Sequence, residues 1–320
     1  MEMIKIIKNL IKENNKILTK TSSMTWFLIK LMLPISIGIR ILENFGLIEL
    51  IANKLAPIMN LVGLSGEMGI VWITGMLTNI YGGLISLFNL STTYIFTKAE
   101  ITILSTMILI AHSMFVETKV LKEAGGKAGN IVFIRIISAL LVGAFMNIIF
   151  STFNLYDKNV SLNFVKNNTS ESHFIWLIGQ FKNYFNIFVI IYALLVSMVF
   201  LQKIGFINII NKILKPVLSI LGISEKASTI NLVSLTLGIS YGGALLIEEG
   251  RSGRVTEKDL ENSIIFMALC HAIIEDTLLM IGIGASIWGV LGIRFIYAFL
   301  FVYFFNKLRK SFVTKKREAY

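Results

Sequence analysis

The chain has 320 residues, of which 55 % are hydrophobic and only 15 % charged, with a mean hydropathy of +0.75. That balance lies outside the soluble globular range and marks an integral membrane protein, whose first partner is the lipid bilayer. The net charge of +11 collects at the two ends and beside apolar segments, which argues against a nucleic-acid partner and for anchoring at the cytoplasmic face. A lone cysteine, Cys270, rules out an intramolecular disulfide.

Residues 1–22 set Ile4, Ile7, Leu10 and Ile11 against Lys5, Lys8, Lys12, Lys16 and Lys20, the pattern of a basic amphipathic helix resting on an anionic inner leaflet. An apolar segment follows at 25–42, with Arg40 and Glu43 where a signal-peptide cleavage site would need small residues. Between Glu67 and Leu90 the apolar run is interrupted at its centre by Asn79, Tyr81, Gly82 and Gly83. A glycine pair beside a polar residue suits either a crossing helix or the tip of a re-entrant hairpin whose bare backbone lines a cavity. Apolar segments at 101–120 and 131–155 are joined by the short turn KEAGGK, and 157–172 is a polar linker.

After the linker the pattern begins again. Pro57, Gly63 and Ser65 recur as Pro216, Gly222 and Ser224, offset by 159 residues; Tyr81-Gly82-Gly83 recurs as Tyr241-Gly242-Gly243, offset by 160. The segment from His112 to Thr118 recurs from His271 to Thr277, again offset by 159. Both termini are basic and the linker is not, so both termini are expected in the cytoplasm, the linker outside, and an odd number of crossings in each half. Residues 44–100 carry two Lys/Arg against seven in 203–260, and 119–135 carry four against one in 278–294. Matching loops with opposite bias belong on opposite sides of the membrane.

The expected fold is therefore an all-α polytopic membrane protein of two inverted repeats, each with three transmembrane helices and a re-entrant hairpin. The six crossings fall at 25–42, 101–120, 131–155, 184–202, 263–283 and 285–305. The domains read as a cytoplasmic basic helix at 1–22, a first repeat at 23–156, an extracytoplasmic linker at 157–182, a second repeat at 183–306 and a cytoplasmic basic tail at 307–320.

Ionisable groups in the middle of an apolar span are costly unless paired, which makes them site candidates. His271 and Glu275, four apart, would share a helix face, with Asp276 about 140° around from His271. The first repeat offers His112 and Glu117, and Thr118 and Thr277 add hydroxyls. Two such His-acid pairs meeting at mid-depth would suit a hard or borderline divalent metal ion, a proton relay coupled to a solute, or a plain packing contact between helices. Tyr81, Gly82, Gly83, Tyr241, Gly242 and Gly243, with Asn79, read as hairpin tips meeting a solute or as close helix packing through small residues. The Gly-rich turn after Glu248 and Glu249 lacks the Lys-Ser/Thr of a phosphate loop, and no nucleophile-base-orienter set suggests an enzyme.

The doubled YGG segment, AHSMFVET, CHAIIEDT and the repeated halves resemble the Gate, or nucleoside-recognition, membrane proteins. That family is similar to the gate segments of concentrative nucleoside transporters and ferrous-iron transporter B, and to spore maturation proteins A and B. The resemblance covers about 25–305 and implies that the residues just named form a solute pathway. The 320 residues hold no GTPase domain like that of the iron transporter, so transport is not expected to be GTP-driven. No cofactor is expected beyond a coupling ion or a divalent metal, and a homodimer is in keeping with such folds.

Overall fold

The computed structural model describes residues 14–23, 25–26, 29–30, 33–34, 37–38, 41, 44–91, 94–160, 173–252 and 255–318. The expected amphipathic helix at 1–22, the crossing at 25–42, the linker and the C-terminal tail each fall partly outside these residues. Among the described residues the chain is 82 % helical, as hydrocarbon demands of a backbone that must satisfy its own polar groups.

The described elements of the first half are α1 (Leu47–Leu61), α2 (Gly66–Leu77), α3 (Ile80–Leu90), α4 (Lys98–Ile110), α5 (Met114–Glu123) and α6 (Ala128–Thr152). Those of the second are α7 (His173–Lys203), α8 (Phe206–Ile220), α9 (Glu225–Leu237), α10 (Ile239–Ser252), α11 (Glu257–Leu269), α12 (Glu275–Gly282), a π-helix at Trp288–Ile293 and α13 (Arg294–Glu318). Two two-residue strands, which the apolar pattern does not signal, pair antiparallel as Phe96 with Val160 and Thr97 with Asn159.

Among the described residues, four stretches are long and apolar enough to cross a bilayer: Lys98–Glu123, Ala128–Thr152, Leu177–Lys203 and Trp288–Arg309. They overlap four of the six expected crossings. The crossing expected at 263–283 is not continuous, because the helix stops at Leu269 and resumes at Glu275. Residues Glu49–Leu61 and Gly66–Leu77 form a further apolar pair bent by 91°.

Local chemistry repeats with the offset of 159. Left-handed glycines at 46, 63 and 125 have counterparts at 205, 222 and 284, each turning the chain where an L side chain would be strained. Helix α4 opens with a capping box in which Thr97 Oγ1 accepts from Glu100 N and Glu100 Oε2 accepts from Thr97 N. At the matching start of α11, Thr256 Oγ1 accepts from Asp259 N. Helices α4 and α11 are the buried centre: every residue from Ile101 to Ile110 and from Asn262 to Leu269 is buried. Around them α6, α7, the π-helix and α13 expose Phe133, Phe145, Phe181, Phe185, Trp288 and Phe304, which suits contact with acyl chains.

Between α2 and α3 the chain doubles back. Gly75 and Gly83, eight residues apart, would stand about 12 Å apart on one straight helix, yet a Cβ built on Gly83 would come 3.3 Å from the Cα of Gly75. In the second half Gly242 lies against the backbone of Ser234 in the same way. This contact equates Gly83 with Gly242 and keeps the offset at 159, so the YGG triplets are shifted by one residue relative to the fold.

Turns of the two halves pack reciprocally. Gly125 and Gly126 meet Leu260 and Ile264, and Gly250 approaches the Ala124 carbonyl. The matching turn lies elsewhere: Gly284 meets Val160, Ser286 N donates to Thr102 Oγ1 at 2.9 Å, and Ser286 Oγ bonds Tyr156 Oη at 2.9 Å. Thr102 stands near the start of the stretch Lys98–Glu123 and Ala124 just past its end. Equivalent turns thus lie at opposite ends of one span.

Candidate functional site

The site grows out of two breaks. Helix α4 ends at Ile110, and Ser113 takes a left-handed φ of 46° before α5 begins. Helix α11 ends at Leu269, and Ala272 takes the same φ of 46° before α12. A non-glycine residue held there costs roughly 1–3 kcal/mol and persists only where its surroundings enforce it. They do: Ser113 N donates to Gly75 O at 3.1 Å and Ala272 N to Ser234 O at 3.0 Å, so each break is clamped to the end of a hairpin arm.

A helix that stops inside a protein leaves carbonyls without partners. Here the site residues satisfy them. His112 Nδ1 lies 3.0 Å from Ile108 O and His271 Nδ1 lies 2.8 Å from Met267 O. Arg135, from α6, donates through Nε to Ile110 O at 2.8 Å; Arg294, opening α13, donates through Nε to Leu269 O at 3.2 Å and through NH2 to His271 O at 3.0 Å. The cations sit at helix C-termini and the carboxylates of Glu117 and Asp276 in the first turns of α5 and α12, the placement that helix dipoles favour.

The side chains then converge across the two halves. Glu117 Oε1 is 2.9 Å from His112 Nε2 and 3.3 Å from His271 Nε2, while Glu117 Oε2 is 2.7 Å from Arg135 NH2. Asp276 Oδ2 lies 3.6 Å from Arg294 NH1. The two imidazole centroids are 5.2 Å apart. Exposure is 4 % for His112, 5 % for Glu117 and 2 % for His271, so the cluster is sealed from solvent. Thr118 and Thr277 Oγ1 are buried nearby in sequence with no hydrogen-bond partner among the described residues.

Comparison with known proteins fits this construction. Residues 25–160 match the Gate family, described as nucleoside recognition. The match to the Gate domain covers the first half of the chain. The chain is also 26 % identical over 276 residues to the uncharacterized membrane protein YvoD of Bacillus subtilis (strain 168), covering 84 % of this chain and 86 % of that one. No solved structure matches it significantly.

Against this geometry three expectations change. His271 and Glu275 do not share a helix face, because the helix is broken between them at Ala272. Glu275 is half-buried and within electrostatic reach of Lys20, while the acid that meets His271 is Glu117 of the other half. The YGG glycines are not the hairpin tips. The first reversal is at Thr78 and Asn79, whose side chain accepts from Gly82 N, and the second is at Gly238 with φ 88°. Gly82, Gly83, Gly242 and Gly243 instead permit close packing against Thr78, Gly75, Ser234 and Val120. Tyr81 lies within electrostatic reach of Glu275 and Asp276; the side chain of Tyr241 lies outside the described residues.

Two site residues escaped the sequence reading. Arg135 and Arg294 are 0 % and 1 % exposed, each inside an apolar span. Their signal was in plain view: an arginine near the start of the last apolar span of each half, offset by 159 residues. Counting them as loop charges hid them.

Proposed function

We propose that the protein is a secondary-transporter-like carrier that moves a small polar solute or a cation across the plasma membrane by alternating access, without chemically converting it. In this reading the halves are inverted repeats, both termini are cytoplasmic, and the hairpins at 66–90 and 225–252 are re-entrant from opposite faces. One observation carries it: His112 and Glu117 from one half and His271 from the other meet, sealed, at the gaps of two interrupted helices. Interrupted helices whose half-helix ends meet between repeats are how such carriers hold their cargo. The placement of equivalent turns at opposite ends of one span, and the opposite charge bias of matching loops, both support the inversion.

The test is flux in proteoliposomes for a panel of nucleosides and divalent cations. His271→Ala and Asp276→Asn are each expected to lower the rate about tenfold or more, the scale of losing a ligand-shell group. Undiminished flux in both variants removes the site. The inversion has its own check, helped by the burial of the native Cys270. A cysteine at the exposed positions Glu123 or Lys127 should react with an impermeant reagent from the cytoplasmic side, and one at Asp157 from outside. Labelling of Glu123→Cys from outside would overturn the topology.

The pairing of both arginines with carbonyls and carboxylates favours a second reading, a non-transporting membrane assembly factor in which the buried polar groups specify how helices pack. A folded His271→Ala protein that has lost flux argues against it.

A further inference from the structure

We infer that His112 Nε2, His271 Nε2 and Glu117 Oε1 form a binding site for a first-row divalent cation of the Zn2+ class. The inference rests on the transport reading for the ion's passage through the membrane, but not for its binding.

The hydrogen bonds fix the chemistry. A backbone carbonyl can only accept, so Nδ1 of each imidazole, facing Ile108 O or Met267 O, carries the proton and donates it. In a neutral imidazole Nε2 is then a bare lone pair. Both Nε2 atoms lie beside the same carboxylate oxygen, 2.9 and 3.3 Å away. Three such acceptors in a sealed site repel unless cations sit among them, either protons on Nε2 or a metal ion that displaces them. This is the arrangement of metal-ligating histidines, whose outer nitrogen is oriented by a carbonyl.

The spacing fits an ion. Donors set tetrahedrally at zinc's usual ligand distances stand about 3.4 Å from one another. The two Nε2–Oε1 edges, 2.9 and 3.3 Å, are close to this, and all three donor atoms lie within 4.8 Å of one another. Two imidazoles and one carboxylate suit borderline ions such as Zn2+, whereas Ca2+ and Mg2+ require shells of oxygen. Arg135 occupies Oε2, so Glu117 offers one oxygen and a partly neutralised charge. Three protein ligands with a fourth position open bind an ion tightly enough to select it and loosely enough to release it.

The experiment uses the full chain purified in detergent, stripped with a chelator and titrated with Zn2+ and with Co2+. One ion per chain is expected, with proton release on Zn2+ uptake and the intense visible absorption of four-coordinate Co2+ with nitrogen and oxygen ligands. His112→Gln, His271→Gln and Glu117→Gln should each weaken binding about a hundredfold or more, beyond the 10–100-fold lost with an outer partner. Wild-type protein with no saturable uptake of either ion overturns the inference without recourse to any variant. So does binding that both histidine variants leave unchanged. The two readings fail separately. A protein that binds Zn2+ but passes none in proteoliposomes keeps this site and loses the carrier; one that passes nucleosides and binds no metal loses this site and keeps the carrier.

Discussion

Glu117 and Asp276 occupy equivalent places in the two halves, and they behave differently. Each opens a helix after a left-handed break and each faces an arginine 18 residues further on, Arg135 or Arg294. Glu117 is longer by one methylene. It holds Arg135 at 2.7 Å and still reaches both imidazoles, including the one from the other half. Asp276 stops 3.6 Å from Arg294, which turns Nε and NH2 to the carbonyls of Leu269 and His271 instead. Duplicated frames thus present one acid as the shared contact of both imidazoles and the other as a counter-ion. The asymmetry comes from a side-chain length, not from a change of fold.

Removing the arginines exploits that difference most directly. Arg135→Met strips Glu117 of its closest cation and leaves a charge in a sealed site, which should cost about 3–5 kcal/mol of stability. Arg294→Met removes a longer ion pair and frees two carbonyls, for an expected loss of about 1–3 kcal/mol. Denaturant or thermal unfolding of the two variants in the same detergent compares them. Equal losses would mean that Glu117 and Asp276 carry the same electrostatic load, and the comparison would collapse.

The repeat, the class and most spans are legible in sequence because they depend on apolar length and on a fixed offset between punctuating residues. His112, Glu117 and His271 stand out because charge in an apolar run is rare. Their partnership does not. Read as one helix, His271 and Glu275 look paired; the break at Ala272 carries no proline or glycine to announce it, and it is enforced by Ser234 O from another element. The hairpins follow the same logic. The glycines mark where two arms touch, and sequence alone does not separate a close contact from a turn three to five residues away.

A smaller effect tests the symmetry itself. Ser138 and Tyr297 are equivalent positions, yet Tyr297 Oη donates to Ser138 Oγ at 3.0 Å. The equivalent residues His112 and His271 also face each other, 5.2 Å apart. Residues touch their own counterparts only near a two-fold axis, so both contacts are what the proposed inversion of the halves would require. Tyr297→Phe and Ser138→Ala should each cost about 0.5–1.5 kcal/mol, and the double variant should recover about 0.5–1 kcal/mol of coupling in a mutant cycle. A coupling near zero would separate α6 from α13 at that point. The imidazoles would then have to be brought together by the breaks alone, and His112→Gln would no longer be felt at His271.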